Sequence, residues 1–240
     1  MVKIFHDLQE LSIAVSDAIA DLARNAIAAR GRFTLALSGG HTPKTLYKIL
    51  ARDYQTKIDW QHVHLFWGDE RYVPHDDPAS NYWMVNESLL SKIEISLDNI
   101  HPIPTTFPNP TDAAARYAGE LTSFFGQPIP EFDLILLGLG DDGHTASIFP
   151  ATPIETSREG VAIVTTSPVA PAIRISLTMT ILDNARNVFF LVSGAEKKEI
   201  LKAVLDEEGN PDSKYPAARV QPRGELVWFV DEAAMKSDAD

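Results

Sequence analysis

The chain has no cysteine, which excludes disulfides, thiolate nucleophiles and Cys-ligated zinc by composition alone. It also lacks any run approaching the roughly 18 consecutive apolar residues that a membrane span needs, so no membrane is expected as a partner. Positive charge is scarce: 21 Lys and Arg stand against 33 Asp and Glu, a formal net charge of -12. Nucleic acids and anionic membrane surfaces require a basic field to neutralise their phosphates, so neither is expected to bind. An anionic small molecule retains a route in, through a few locally placed cations. The H-E-x-x-H pattern is missing, so zinc hydrolysis has no support, and no metal or cofactor is expected. The stretch Met1 to Leu22 carries Asp7, Glu10, Asp17 and Asp21, which suits neither a secretory nor an acid-poor transit peptide, and it reads as mature structure. A cysteine-free chain fits a reducing cytoplasm, the expected location.

What is present is a chain of 240 residues, 45% of them apolar, enough for one sizeable core and better suited to a single domain over residues 1–240 than to two small ones. A short strand near Val2 to Phe5 precedes a long amphipathic helix from Leu8 to Ala29, with Asp7 as N-cap and Gly31 just past its end. Phe33 to Leu37 reads as a strand running into Ser38-Gly39-Gly40, after which Thr42-Pro43 is expected to open a helix as N-cap and first residue. The alternation continues with a strand at Val63 to Trp67, a polar loop from Gly68 to Pro78, and a helix from Asn81 capped by Ser80. A short strand at Ile100 to Ile103 and a helix at Thr111 to Phe125 follow. Phe132 to Leu137 is the near-continuous apolar run of a strand covered on both faces. Further strands are expected at Val161 to Thr165, Ile173 to Leu177, Val188 to Val192 and Leu226 to Val230, with a helix from Ala195 to Leu205. The fold class this predicts is α/β, a doubly wound and mainly parallel sheet with ligands beyond the carboxyl ends of its strands. Asp206 to Pro222, rich in Pro, Gly and charge, reads as a long mobile surface loop.

Three strand-end segments carry candidate chemistry. Ser38-Gly39-Gly40-His41-Thr42-Pro43 joins a strand to a helix start, where free N–H groups favour an anion such as phosphate; a plain tight turn is the alternative. In Gly68-Asp69-Glu70-Arg71-Tyr72-Val73-Pro74, Arg71 can grip phosphate oxygens in bidentate fashion and Asp69 can orient a ligand hydroxyl or a neighbour; surface ion pairs are the alternative. The third segment runs from Leu137 to Ser147 and holds Gly138, Gly140 and Gly143 at the spacing of a dinucleotide fingerprint. Asp141 and Asp142 would oppose a pyrophosphate there, Pro150 and Pro153 leave only about two turns of helix, and the next strand ends without the acidic residue that holds a ribose. His144 is better read as a general base, held at a strand's end by a glycine turn whose N–H groups can serve an oxyanion, beside carboxylates that can fix its tautomer. His6, His62, His64, His75 and His101 show no such setting and read as structural or exposed. Arg174 on a strand and Lys197 at a helix start are further cations within reach of a phosphate, or else solvated charges.

These blocks, with the closing Leu226-Val227-Trp228-Phe229-Val230-Asp231, resemble the 6-phosphogluconolactonase family in order from about Phe33 to Ala234. The resemblance implies the fold shared with glucosamine-6-phosphate deaminase and hydrolysis of 6-phosphogluconolactone to 6-phosphogluconate in the oxidative pentose phosphate pathway. It implies His144 as general base with Asp69 nearby, and a phosphate site of Ser38, Gly39, Gly40, Thr42, Arg71, Arg174 and Lys197. The expected partner is a sugar phosphate, with the chain a monomer or small homo-oligomer. Asp141 departs from the family pattern, which often has proline there, and a carboxylate close to His144 would favour the imidazolium. A deaminase or isomerase on the same fold is a rival reading. Its pattern resembles Gly-His-Ile-Ala-Phe-Asn-Glu-Pro, with a glutamate where this chain has Phe149. A non-catalytic sugar-phosphate sensor is the second rival, although the chain leaves little length for the module such a protein carries.

Overall fold

A computed structural model of the chain describes residues 1–235. Strand β1 (Val2–Phe5) leads into helix α1 (Leu8–Arg30). The Asp7 side chain accepts the Glu10 N–H at the start of α1, and Gly31 ends it in the left-handed conformation. Leu11, Val15, Ile19, Ala23 and Ala26 recur at helical spacing and are buried, which fixes the face α1 turns to the core. Then come β2 (Phe33–Leu37), α2 (His41–Asp53), β3 (Val63–Trp67), β4 (Asp69–Arg71), α3 (Asn81–Ser88), β5 (Ile100–His101) and α4 (Pro110–Phe125). The second half runs β6 (Leu134–Gly138), α5 (Ile154–Ser157), β7 (Ala162–Thr166), β8 (Ile173–Leu177), α6 (Met179–Asn184), β9 (Asn187–Val192), α7 (Lys198–Asp206), β10 (Glu225–Asp231) and α8 (Glu232–Met235).

The main sheet has the order β1-β10-β9-β6-β2-β3-β5, and every pairing in it is parallel. Its central strands are buried throughout, as β2 shows with all of Phe33 to Leu37 inaccessible, which explains their near-continuous apolar sequence. Trp228 stacks on Phe190 of the neighbouring strand with ring centroids 3.8 Å apart. At the amino end, buried Asp133 accepts from the Thr34 N–H at 2.9 Å and its hydroxyl at 3.0 Å, and pairs with Arg30. This ties β2 to the start of β6.

Several expectations need correction. The strands at 162–166 and 173–177 do not join the parallel sheet; they pair antiparallel, and β8 pairs antiparallel with β4 in a separate sheet ordered β4-β8-β7. The segment between β7 and β8 is too short for the dozen or more residues a parallel crossover needs, so a hairpin is the accessible solution. Asp69 to Arg71, expected in a loop, form β4 of that small sheet. Helix α2 starts at His41, with Gly40 as its cap and the Gly40 carbonyl accepting from Lys44, so Thr42 lies in the first turn rather than at the cap. The helix expected at Ala195 begins as a 3-10 turn over Ala195–Lys197 before α7. Between Gly143 and Pro153 no helix forms at all, and Thr145 and Ile148 make an isolated bridge. Residues 206–222 are no loose connection: they contain a 3-10 turn at Pro216–Arg219 whose residues are buried.

His64 and His101, read as structural or exposed, form a packed pair at the sheet edge. Their rings are 5.5 Å apart, His64 Nδ1 lies 3.2 Å from His101 Nε2, and His101 Nδ1 reaches Glu120 at 3.0 Å. Burial first, then the neighbouring His101, Arg32 and His62, pushes His64 down to about 4. The folded protein thus refuses a proton that the unfolded chain accepts near 6.5. Conformational stability is expected to fall as pH drops from about 6.5 towards 4. Urea unfolding across that window measures the fall, and His64→Phe should flatten its slope.

Candidate active site

The chain leaves β2 towards β3 on one side, and leaves β6 towards β9 on the other, so the two adjacent strands diverge at their carboxyl ends. Such a switch point leaves a crevice. A cavity of about 460 Å³ opens there, lined by the segments that follow β2, β3, β6 and β9 together with β8. Ser38, Gly39, Gly40, Thr42, Asp69, Arg71, His144, Arg174 and Lys197 all line it. They come from distant parts of the sequence: most follow the carboxyl ends of β2, β3, β6 and β9, and Arg174 lies on β8.

His144 sits on the turn after β6. Its Nδ1 lies 2.6 Å from Asp142 Oδ1, and the same oxygen accepts the His144 backbone N–H at 3.0 Å. A carboxylate can only accept, so it selects the tautomer with the proton on Nδ1 and leaves Nε2 with a lone pair. The ring lies directly over Gly140, where a Cβ would fall 2.0 Å from Nδ1; no other residue leaves it that space. Gly143 has φ of 81°, and a Cβ there would come 2.5 Å from the Tyr215 ring. The Ala217 N–H donates to the Gly143 carbonyl at 3.0 Å, so the segment expected to be mobile buttresses the histidine turn. The N–H groups of Gly140, Gly143 and His144 all donate within the turn, to the carbonyls of His144 and Gly140 and to Asp142. These three donors are therefore not free for an oxyanion, contrary to expectation. Asp142, not Asp141, meets the imidazole.

The alternation of β4 explains the neighbouring charges. Asp69 and Arg71 face the cavity, while Glu70 points the other way and is 1% exposed. Glu70 accepts from the N–H groups of Arg71, Asn81 and Tyr82 at 2.7 Å each and from the Ser80 hydroxyl at 3.0 Å. It is a buried anchor for the start of α3; burial pushes its pKa up, and these donors oppose the rise. Buried Asp69 takes the Ser147 hydroxyl at 2.6 Å, and the Asn81 amide bonds its main-chain oxygen at 2.9 Å. Arg71 stands directly opposite Arg174 in the β4–β8 register. Arg174 is 6% exposed and its Nε has no hydrogen-bond partner. Burial first, and the Arg71 guanidinium second, lower it from the ordinary arginine range. Like charges opposed across a ladder repel, and no ion pair joins either guanidinium among the described residues.

Sequence reading missed the groups that hold this wall in place. Tyr47 on α2 accepts the Ser38 N–H at 3.0 Å and donates to the Ser38 carbonyl at 2.8 Å. Tyr117 on α4 does the same for Trp67, at 3.1 and 2.9 Å. Their only sequence signal is a tyrosine among the apolar positions of a helix. Phe149 packs against His144 with ring centroids 4.7 Å apart, and Lys197 pairs with Asp141. Among the described residues no group of three or more His, Asp or Glu side chains converges as a metal site needs, and no helix is long and apolar enough to cross a membrane.

Residues 6–228 match the family described as glucosamine-6-phosphate isomerases/6-phosphogluconolactonase. A 6-phosphogluconolactonase of Synechocystis sp. is 46% identical over 212 residues, 87% of this chain and 86% of that protein. The crystal structure of 6-phosphogluconolactonase from Thermotoga maritima has a TM-score of 0.83 at 32% identity, covering 97% of this chain and 99% of that one. A monomeric glucosamine-6-phosphate deaminase shares the fold at a TM-score of 0.81 and 22% identity, covering 97% and 98% of the two chains. By its strand-end blocks and by its fold, the chain belongs to the glucosamine-6-phosphate isomerase/6-phosphogluconolactonase family.

Proposed function

We propose that this chain hydrolyses 6-phospho-D-glucono-1,5-lactone to 6-phospho-D-gluconate in the oxidative pentose phosphate pathway, as a single-domain cytoplasmic enzyme, monomeric or a small homo-oligomer. The observation that carries the reading is the 2.6 Å contact of His144 Nδ1 with Asp142, in a cavity that also presents the opposed guanidinium groups of Arg71 and Arg174. One part of such a wall activates water and the other takes a phosphate.

The chemistry follows from ester opening. Nε2 of His144 removes a proton from water as the oxygen bonds to the lactone carbonyl carbon. The resulting oxyanion needs donors other than the N–H groups of Gly140, Gly143 and His144, which are already bonded within the turn. When the tetrahedral centre collapses, the bond to the ring oxygen breaks and the imidazolium gives that oxygen its proton. Asp142 stays ionised and offsets the charge that forms on the ring. Ser38, Gly39, Gly40 and Thr42 at the start of α2, with Arg71, Arg174 and Lys197, hold the phosphate and position the ring over the histidine. Asp69, held by Ser147 and Asn81, accepts from a sugar hydroxyl.

Phe149 separates this reading from a deaminase. A phenyl ring packs on His144 where the deaminase pattern has a carboxylate, so ring-opening proton transfer has no acid at that place. Lactone generated from glucose 6-phosphate by its dehydrogenase should be opened faster with the protein than without, and glucosamine 6-phosphate should yield no ammonia. Acid release no faster than the spontaneous reaction overturns the proposal. His144→Ala should lower kcat by about a hundred- to ten-thousandfold with little change in KM. Arg174→Gln should act in the opposite sense, raising KM about ten- to hundredfold and leaving kcat nearly intact, as initial rates across a lactone series would record.

A further inference from the structure

The cavity's cations are not equivalent. Arg71 donates to the Ala79 carbonyl at 2.6 Å and Arg174 has a buried Nε without a partner; among the described residues neither forms an ion pair. Lys197 does, with Asp141, which comes from the turn after β6 while Lys197 comes from the turn after β9. The pair is lopsided: the lysine side chain is 20% exposed and lies in the wall, while the aspartate side chain is 85% exposed. The lysine is therefore fixed in the cavity lining, and its carboxylate partner stands in solvent at the border. Glu196, on the same turn as Lys197, brings a further carboxylate to the lining beside those of Asp69 and Asp141.

We propose that Asp141 is a specificity-determining residue that tempers phosphate affinity, occupying Lys197 until a dianion displaces it and hastening release of the product. The inference rests on the reading of the cavity as a sugar-phosphate site. A phosphate reaching Lys197 competes with Asp141 for the ammonium and is repelled by the same carboxylate, and a dianion feels that repulsion twice over. Solvent and salt weaken both effects without removing them, because the lysine is mostly withdrawn from water. The product carries a new carboxylate besides its phosphate, so it meets the greater opposition. An unphosphorylated lactone makes no use of Lys197 and is indifferent to Asp141.

The test is a cycle of Asp141→Asn, Lys197→Ala and the double variant in the full chain. KM for the phosphorylated lactone comes from initial rates, and affinity for 6-phosphogluconate from calorimetric titration, which does not depend on turnover. Asp141→Asn is expected to lower KM and the product's dissociation constant by about fivefold and to steepen their dependence on salt. Turnover of unphosphorylated gluconolactone should not change, and in the Lys197→Ala background the Asp141→Asn effect should shrink to what direct repulsion of the phosphate gives on its own. Unchanged or weakened affinity in Asp141→Asn, while Lys197→Ala still weakens it, overturns the role of Asp141 and leaves the phosphate reading standing. If Lys197→Ala alters neither constant, Lys197 is no phosphate ligand and the inference falls with that assignment.

Discussion

Adjacent parallel strands whose chains leave in opposite directions cannot cover their shared carboxyl ends, and everything at this site depends on that gap between β2 and β6. The glycine segment after β2 and the histidine turn after β6 become neighbours because their strands pair, Leu35 with Leu134 and Ala36 with Ile135. Ser38 Oγ lies 3.9 Å from where a Cβ would stand at Gly138. The glycine segment and the histidine turn are thus set side by side by main-chain pairing, before any side chain takes part.

Side chains then stiffen what the backbone has placed. Buried hydroxyls and carboxylates bond the main chain just where each strand ends: Tyr47 at Ser38, Tyr117 at Trp67, Glu70 at the start of α3, and Asp231 at Gly194. Strand ends leave N–H and C=O groups without ladder partners, and burying them unpaired costs about 1–3 kcal/mol each. The same bonds that satisfy this need also hold the cavity lining in one arrangement. Stability and positioning therefore come from one set of interactions, and only Arg71 and Arg174 face the cavity with their charges uncompensated by any ion pair among the described residues.

The parallel sheet was legible because its central strands are mostly apolar runs and the helices between strands carry cap signals, as at Gly31 and Ser80. Strands β7 and β8 were legible as strands but not as a separate antiparallel sheet, since apolar content reports burial and not the partner. Asp69 to Arg71 read as loop because their charges mask a strand whose two faces meet different surroundings, a cavity and a buried helix start. Residues 206–222 looked mobile by composition, yet their few apolar members pack, and Tyr215 supports Gly143.

By itself the sequence marked residues that turn out to line one cavity, Ser38, Gly39, Gly40, Thr42, Asp69, Arg71, His144, Arg174 and Lys197, through local signals of glycine, cap or apolar run. Only the tertiary structure decided who meets whom. It chose Asp142 over Asp141 as the partner of His144, gave Asp141 to Lys197, set Arg71 against Arg174, and sent Glu70 away from the cavity. The reason is physical: periodicity and turn chemistry act over a few residues, whereas partners separated by tens of residues are fixed by strand order and register.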